Sequence, residues 1–399
     1  MKDRRDFCSL AIAFYPILSI YSTGIPGISI GELALLFLSF FYLIKRKKRI
    51  QFKFKGFAIY TICISLLMCG LHAEYTFSTF AFHAVSTLLI IYLISVACSI
   101  GNLDEVVKQL KNLCLYSIIF FAAQYLLFVV SGTTISGIVS FLPLSNGENS
   151  AEFHELQMGR DRMSSLFEEP AHFSEFLCVP LCLYLFNSRD KKDFIFCILI
   201  TVCIFLSTSA LGAVSVVIIW GMRFLEFLRQ GNHKWLSYFT IIVIVFALPT
   251  LTATEIVTAT TSRIAEISGV GVENSVHGFS SYIRVLRGYI PFTEQNVFIQ
   301  IVGNGVGSLE SYIKTHHSQY LSLVDGLPDY INSIQYILLG SGVIGLFLFL
   351  KQIYVVFKSS TPSGRTLLLT MFAQMFASGI HSSPVFLIAF FIAAKQANK

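Results

Sequence analysis

The sequence predicts an all-α polytopic membrane protein, one integral membrane unit over residues 1–399 with about 12 transmembrane helices and two long outer loops. Hydrophobic residues make up 54% of the chain and charged residues 13%, with a mean hydropathy of +0.69, which leaves too little polar surface for a water-soluble particle. Apolar runs long enough to cross about 30 Å of hydrocarbon as helices recur along the whole length, whereas the short alternating segments of a membrane β-barrel do not. Lys and Arg collect at every second exit from these runs, as basic residues in short cytoplasmic loops do.

Starting inside with Lys2, Arg4 and Arg5, the first span covers 7–24. It lacks a small-residue cleavage site and a second span, 28–44, follows at once, so it is read as a retained helix. The run KRKKR at 45–49 follows the second span, and spans at 56–71 and 78–99 lead to Lys108 and Lys111. Here NLDEVVKQLKN, from Asn102 to Asn112, is amphipathic and is expected to form an interfacial helix separate from the fifth span, 113–131. The sixth span, 171–187, exits to Arg189, Lys191 and Lys192; a seventh at 194–208 and an eighth at 210–225 lead to Arg223, Arg229 and Lys234. A ninth, 236–252, leads out again. The tenth, 331–357, returns to Lys358 and Arg365, and the pair 366–380 and 382–394 ends at Lys395 and Lys399, with both chain ends cytoplasmic.

The first long loop, 132–170, separates the fifth and sixth spans; the second, 253–330, separates the ninth and tenth. Loops of this length are functional or disordered, and their content argues for function. Of the 29 Lys and Arg residues, 23 fall on the inner side. The other six lie in these loops: Arg160 and Arg162 in one, Arg263, Arg284, Arg287 and Lys314 in the other. The basic inner runs report topology and require no nucleic acid, although KRKKR can touch anionic lipid heads.

Nine cysteines all fall in apolar spans and none in the long loops, so neither a disulfide framework nor a zinc spacing follows. The chain has no Walker motif, no HExxH and no GxSxG, which argues against nucleotide, zinc and serine-hydrolase chemistry; no cofactor and no metal are expected. The glycine-rich GNGVG at Gly303 to Gly307 either lets backbone N–H groups approach a phosphate or is a tight turn, and no strand-turn-helix unit surrounds it. On either side, SSYIRVLRGYIPF and LESYIKTHHSQYLSLV carry apolar stripes at helical spacing.

The densest polar cluster, GRDRMSSLFEEPAHFSEFL, runs from Gly159 into the sixth span. Pro170 suits a first helical turn, so the helix N-terminus, which favours anions, lies near Arg160, Arg162, Glu168 and Glu169. Two readings stand side by side. Glu169 caps the helix and the arginines pair with Asp161, Glu168 and Glu169 as a surface network, or the arginines bind phosphate bidentately while a carboxylate acts as base. Arg284 and Arg287, one turn apart on one face, favour the second. His154, His172, His277, His316, His317 and His381 fall on the same side, each more often a hydrogen-bonded residue than a catalyst. Glu32 and Glu175 stand near outer span ends, where a carboxylate must face protein or water; Glu175 is a candidate lining residue of the same site.

Three of these patterns in order, RMSSLFEEP from Arg162 to Pro170, Arg284 followed by GNGVGS, and DYINSIQYILLGSGVIGLFLFL entering the tenth span, give the chain its likeness. It resembles the O-antigen polymerases of the Wzy type and, more distantly, the O-antigen ligases. The resemblance implies a GT-C-like bundle in the bacterial inner membrane with a periplasmic site. The implied reaction is metal-independent, inverting glycosyl transfer from undecaprenyl diphosphate to a sugar hydroxyl of another lipid-linked repeat unit. It points to Arg162 and Arg284 as diphosphate ligands with Glu169 as catalytic carboxylate, to Arg160 and Arg287 as diphosphate-binding neighbours, and to a chain-length regulator and a flippase as partners. The ligases' His-Asn pair aligns with Ile331 and Asn332, which favours polymerase over ligase; the paired RX10G loop motifs of some polymerases are not evident. A transporter or flippase is the rival of another class and would need broken helices or charges deep in the spans.

Overall fold

A computed structural model describes residues 7–25, 27–46, 50–71, 75–139, 141–145, 162–187, 190–230, 289–315 and 331–397. The expected ninth span, KRKKR beyond Arg46, and Arg160, Arg263, Arg284 and Arg287 lie outside them, as do His154, His277, His316 and His317. Every regular element among the described residues is helical, with isolated bridges at Tyr21–Leu144 and Ser22–Ser29 as the extended pairings.

The helices, in chain order, are α1 (Phe7–Leu18), α2 (Ile30–Arg46), α3 (Lys55–Leu71), α4 (Phe77–Ile100), α5 (Leu103–Ser131), α6 (Pro170–Asn187), α7 (Lys191–Leu206) and α8 (Ala210–Arg229). After the undescribed stretch come three short ones, α9 (Ile290–Glu294), α10 (Val297–Val302) and α11 (Leu309–Thr315), then α12 (Ser333–Ser359), α13 (Pro362–Gln374) and α14 (Pro384–Gln396). Four of these, α4, α5, α8 and α12, are long and apolar enough to cross a membrane. Lys314 falls in α11.

The expectation of a separate interfacial helix over 102–112 is corrected: α5 runs unbroken through it, 29 residues from Leu103 to Ser131. Asn102 caps its start, its side chain accepting from the Asp104 and Glu105 N–H groups. Leu103, Val106, Leu110, Leu113 and Cys114 then continue one buried stripe with no Gly or Pro to break it. At 1.5 Å per residue the helix is about 43 Å long, so one end projects beyond a hydrocarbon core of about 30 Å.

Burial separates central from peripheral helices. From Phe173 to Leu183 every residue of α6 is buried, and so is every residue of α14 from Val385 to Ala394, as expected of helices apolar on all sides. The outer surface is apolar instead of charged: Phe37 and Phe40 on α2, Tyr116 and Val130 on α5 and Phe347 on α12 are all more than half exposed. At about 25 cal/mol per Å² of apolar surface such a coat is untenable in water and stable in lipid. The chain is therefore a membrane-embedded helical bundle.

The two ends of the bundle differ. Lys53, Lys55, Lys108, Lys111, Lys191, Lys192, Arg229, Lys358, Arg365 and Lys395 stand at helix ends or within their first or last few turns, and the start of α5, the ends of α6, α8 and α14 and the start of α13 meet around one space. There Arg365 donates to the Phe357 and Lys358 carbonyls, Ser360 Oγ to Ala393 O at 3.0 Å, and the Lys111 ammonium lies 4.0 Å above the Tyr184 ring. At the other end meet the C-terminus of α1 and the N-termini of α2, α6 and α14.

Helix α12 is broken at Gly342, whose φ of 65° and ψ of −172° no ordinary helical residue adopts. The carbonyls released by the break are taken up by the GNGVG turn, through Asn304 N–H to Leu339 O at 3.0 Å and Gly305 N–H to Gly340 O at 2.9 Å. A Cβ on Gly303 would lie 2.5 Å from Ser341, and one on Gly342 only 2.3 Å from Ile301 O. Two backbones thus touch where both lack side chains.

Candidate functional site

At the less basic end, a cavity of about 510 Å³ opens between the α1–α2 turn, the start of α6 and the turn joining α13 to α14. Its wall on the α2 side is built by a reciprocal cap: Glu32 Oε2 accepts the Ser29 N–H at 2.6 Å while Ser29 Oγ accepts the Glu32 N–H at 3.3 Å. Tyr15 OH donates to Glu32 Oε1 at 3.5 Å. Glu32 therefore has a structural task as well as a place on the wall.

The α6 side is built by the end of the first long loop. Ser165, with a left-handed φ of 56°, is clamped by α5: its N–H donates to Gln124 Oε1 at 2.9 Å and its Oγ to Ser117 O at 2.6 Å. Gln124 also donates to Ile135 O at 2.6 Å, so a single buried amide holds both flanks of the first long loop. Gly137 completes the clamp, since a Cβ there would fall 1.9 Å from Ser165 O. Phe167 packs on Phe173 and Phe176, with ring centroids 5.9 and 5.0 Å away. The backbone then enters α6 through Glu169, whose carbonyl accepts the Phe173 N–H at 3.1 Å.

This geometry sorts the charged residues. Glu168, in the loop before α6, is 5% exposed and Glu175 2% exposed; both line the cavity with His172, which stands one turn before Glu175 on α6. Glu175 thus lines a cavity, but one that neither Glu169 nor Arg162 lines. Glu169, the expected catalytic carboxylate, sits at the helix cap, half-buried, and does not line the cavity. Arg162 is half-buried on the flank of α6 that faces the α7–α8 junction, donating from Nε to Thr208 Oγ1 at 3.1 Å. There Ser174 Oγ reaches Ser209 Oγ at 2.8 Å, and Gly212 allows the two helices to meet. One clamped loop therefore carries Arg162 toward the start of α8 and Glu168 into the cavity.

The third wall, from Ser378 to Val385, is stitched to the head of α12. Ser333 donates from N and Oγ to Ser378 O, and Ser333 Oγ accepts the His381 N–H at 3.0 Å. His381 stacks on Tyr336 with centroids 4.8 Å apart, and burial holds its imidazole down at about 4, neutral near pH 7. Asn332 is a helix cap: its Oδ1 accepts from the Gln335 N–H, its Nδ2 donates to Phe376 O, and its own N–H donates to Gln335 Oε1.

The glycine turn takes no part in a phosphate cradle. The N–H groups of Asn304 and Gly305 serve α12, and that of Val306 donates to Ser65 Oγ at 2.9 Å. The nine cysteines are free thiols, and among the described residues no three His, Cys, Asp or Glu side chains gather as a metal would require.

The sequence missed the inward role of Glu168, the Ser-rich turn at 378–383 and the clamp made by Gln124. Gln124 did leave a signal, as a polar amide inside an apolar span that must find partners. Fold and site together define a helical membrane protein with a buried, carboxylate-bearing polar cavity at one end of its bundle. No protein-family model matches the sequence, and no curated protein matches it.

Proposed function

We propose that this chain is a polysaccharide polymerase of the inner membrane, moving a glycan from undecaprenyl diphosphate to a sugar hydroxyl of another lipid-linked repeat unit, as in O-antigen synthesis. The sequence resemblance supplies the reaction. The observation that supports it best is the clamped Arg162–Glu169 loop, which holds a guanidinium and a buried carboxylate at the end of the bundle away from its basic helix ends. With about 12 spans and the basic ends cytoplasmic by the positive-inside rule, that end is periplasmic.

In this reading Arg162 binds the departing diphosphate together with Arg160, Arg284 and Arg287. A guanidinium fork suits phosphate oxygens and stabilises the charge that develops as the anomeric bond breaks. A carboxylate of the Glu168–Glu169 pair accepts the proton of the attacking hydroxyl, and direct displacement inverts the anomeric carbon. Reaction partners are the lipid-linked oligosaccharides and membrane lipid, with a chain-length regulator and a flippase alongside. Ile331 stands where the ligases carry a histidine, which favours this over ligation to lipid A core.

Arg162→Ala should lower polymer formation by roughly 100-fold, the scale of losing one charge-stabilising donor, with protein level unchanged. The measurement is polymer length after purified protein meets lipid-linked repeat unit; a normal ladder would remove Arg162 from the mechanism. Two observations favour a transporter instead: α12 is broken at Gly342, and Glu175, within α6, is a buried ionisable group. Movement of fluorescent lipid-linked oligosaccharide across proteoliposomes, without polymer, would establish that reading.

A further inference from the structure

We propose that the cavity between the α1–α2 turn, α6 and the α13–α14 turn receives the acceptor sugar, and that Glu168 takes the proton of its attacking hydroxyl. This rests on the polymerase reading for the reaction, but its argument comes from the cavity. A volume of about 510 Å³ lies within the range of small-ligand sites. Serine hydroxyls from three separate segments line it, among them Ser19, Ser22, Ser145 and Ser382. Hydroxyls both give and accept hydrogen bonds, as a polyol requires, and carboxylates add acceptors for sugar O–H donors.

Charge decides which part of the substrate enters. Glu32, Glu168 and Glu175 line the cavity, and among the described residues no Lys or Arg does so. A diphosphate is repelled from such a wall and is left to Arg162 on the other flank of α6. Hexuronic acids are disfavoured for the same reason, whereas neutral and amino sugars fit, the latter gaining an ion pair.

Among the carboxylates, Glu168 is the one placed for proton transfer by position: Glu32 stands on the α2 wall, Glu175 lies further along α6, and Glu169 is outside the wall. Glu168 stands on the loop that carries Arg162 and lines the cavity. In the step, the acceptor oxygen bonds to the anomeric carbon as that carbon's bond to the diphosphate oxygen breaks. The bonding electrons leave with the diphosphate, and the hydroxyl proton passes to the Glu168 carboxylate.

The test uses the full chain in nanodiscs, with two independent readouts. Saturation-transfer NMR with a methyl hexoside, a methyl aminohexoside and a methyl hexuronoside should show binding for the first two and at least tenfold weaker transfer to the third. Ser22→Phe, which fills the cavity, should abolish the signal. For turnover, Glu168→Gln should lose at least about 100-fold, the lower range for removing a general base, while Glu169→Gln loses at least tenfold less. Equal binding of the hexuronoside, sugar binding that survives Ser22→Phe, or a larger loss from Glu169→Gln than from Glu168→Gln would overturn the proposal. The two readings fail separately. A wild type that polymerises but binds no hexoside removes the cavity assignment alone; one that binds hexoside in the cavity but never polymerises removes the polymerase.

Discussion

Glu168 and Glu169 are neighbours in sequence with opposite fates, one on the cavity wall and one at the helix cap. What separates them is the clamp on Ser165, so the residue to test first is Gln124. Gln124→Leu leaves the Ser165 N–H and Ile135 carbonyl without their partner, at about 1–3 kcal/mol for each buried group. The expected outcome is a lower Tm in detergent together with lost polymerisation; an unaltered Tm would mean the loop holds itself. His381 offers a second test. Its folded-state value of about 4, against 6.5 ordinarily, means that the unfolded chain binds its proton first as pH falls. Stability is therefore fully present above pH 6.5 and is lost as pH drops from 6.5 toward 4, by on the order of 3 kcal/mol at the acid end. His381→Phe keeps the ring against Tyr336 and removes the titration, so its Tm–pH curve should be flatter across this window. Identical curves would show that other groups govern acid unfolding.

Among elements, the break in α12 and the glycine turn are one structure. Each supplies what the other lacks: carbonyls freed at 339 and 340, and N–H groups at 304 and 305 to meet them. Gly342→Ala places a methyl against Ile301 O and forces a side chain into a positive-φ, extended-ψ region open essentially to glycine alone, which costs roughly 1–3 kcal/mol before the clash is counted. We expect a fall in Tm and faster proteolysis within 289–315; a wild-type digestion pattern would show that the turn docks without the break. The two glycine motifs were visible in the sequence as GNGVG and GSG, but nothing in either reveals that they meet. Likewise, the helix over 103–131 was legible in two halves. An amphipathic polar segment beside an apolar one reads as two elements, and only the buried stripe from Leu103 to Cys114 joins them.

For the whole molecule, the segregation of Lys and Arg to one end of the bundle was expected from the sequence, and the helix ends that meet in the fold agree with it. Membrane side is the matching prediction. Alkaline phosphatase fused after Ser145 should be active, and after Gln230 or Lys395 inactive, with a cytosolic fluorescent reporter showing the reverse. The opposite pattern would invert the topology and place the cavity in the cytoplasm.

The sequence by itself determined the environment and the helical class, because hydropathy is a local quantity that the bilayer reads directly. It also marked the stretch from Arg162 to Pro170 as special. Which residues of that stretch face one another was decided only in the tertiary structure. Contact across helices depends on α5 gripping Ser165 and on three distant turns closing around one space, and no periodicity in a single segment encodes that.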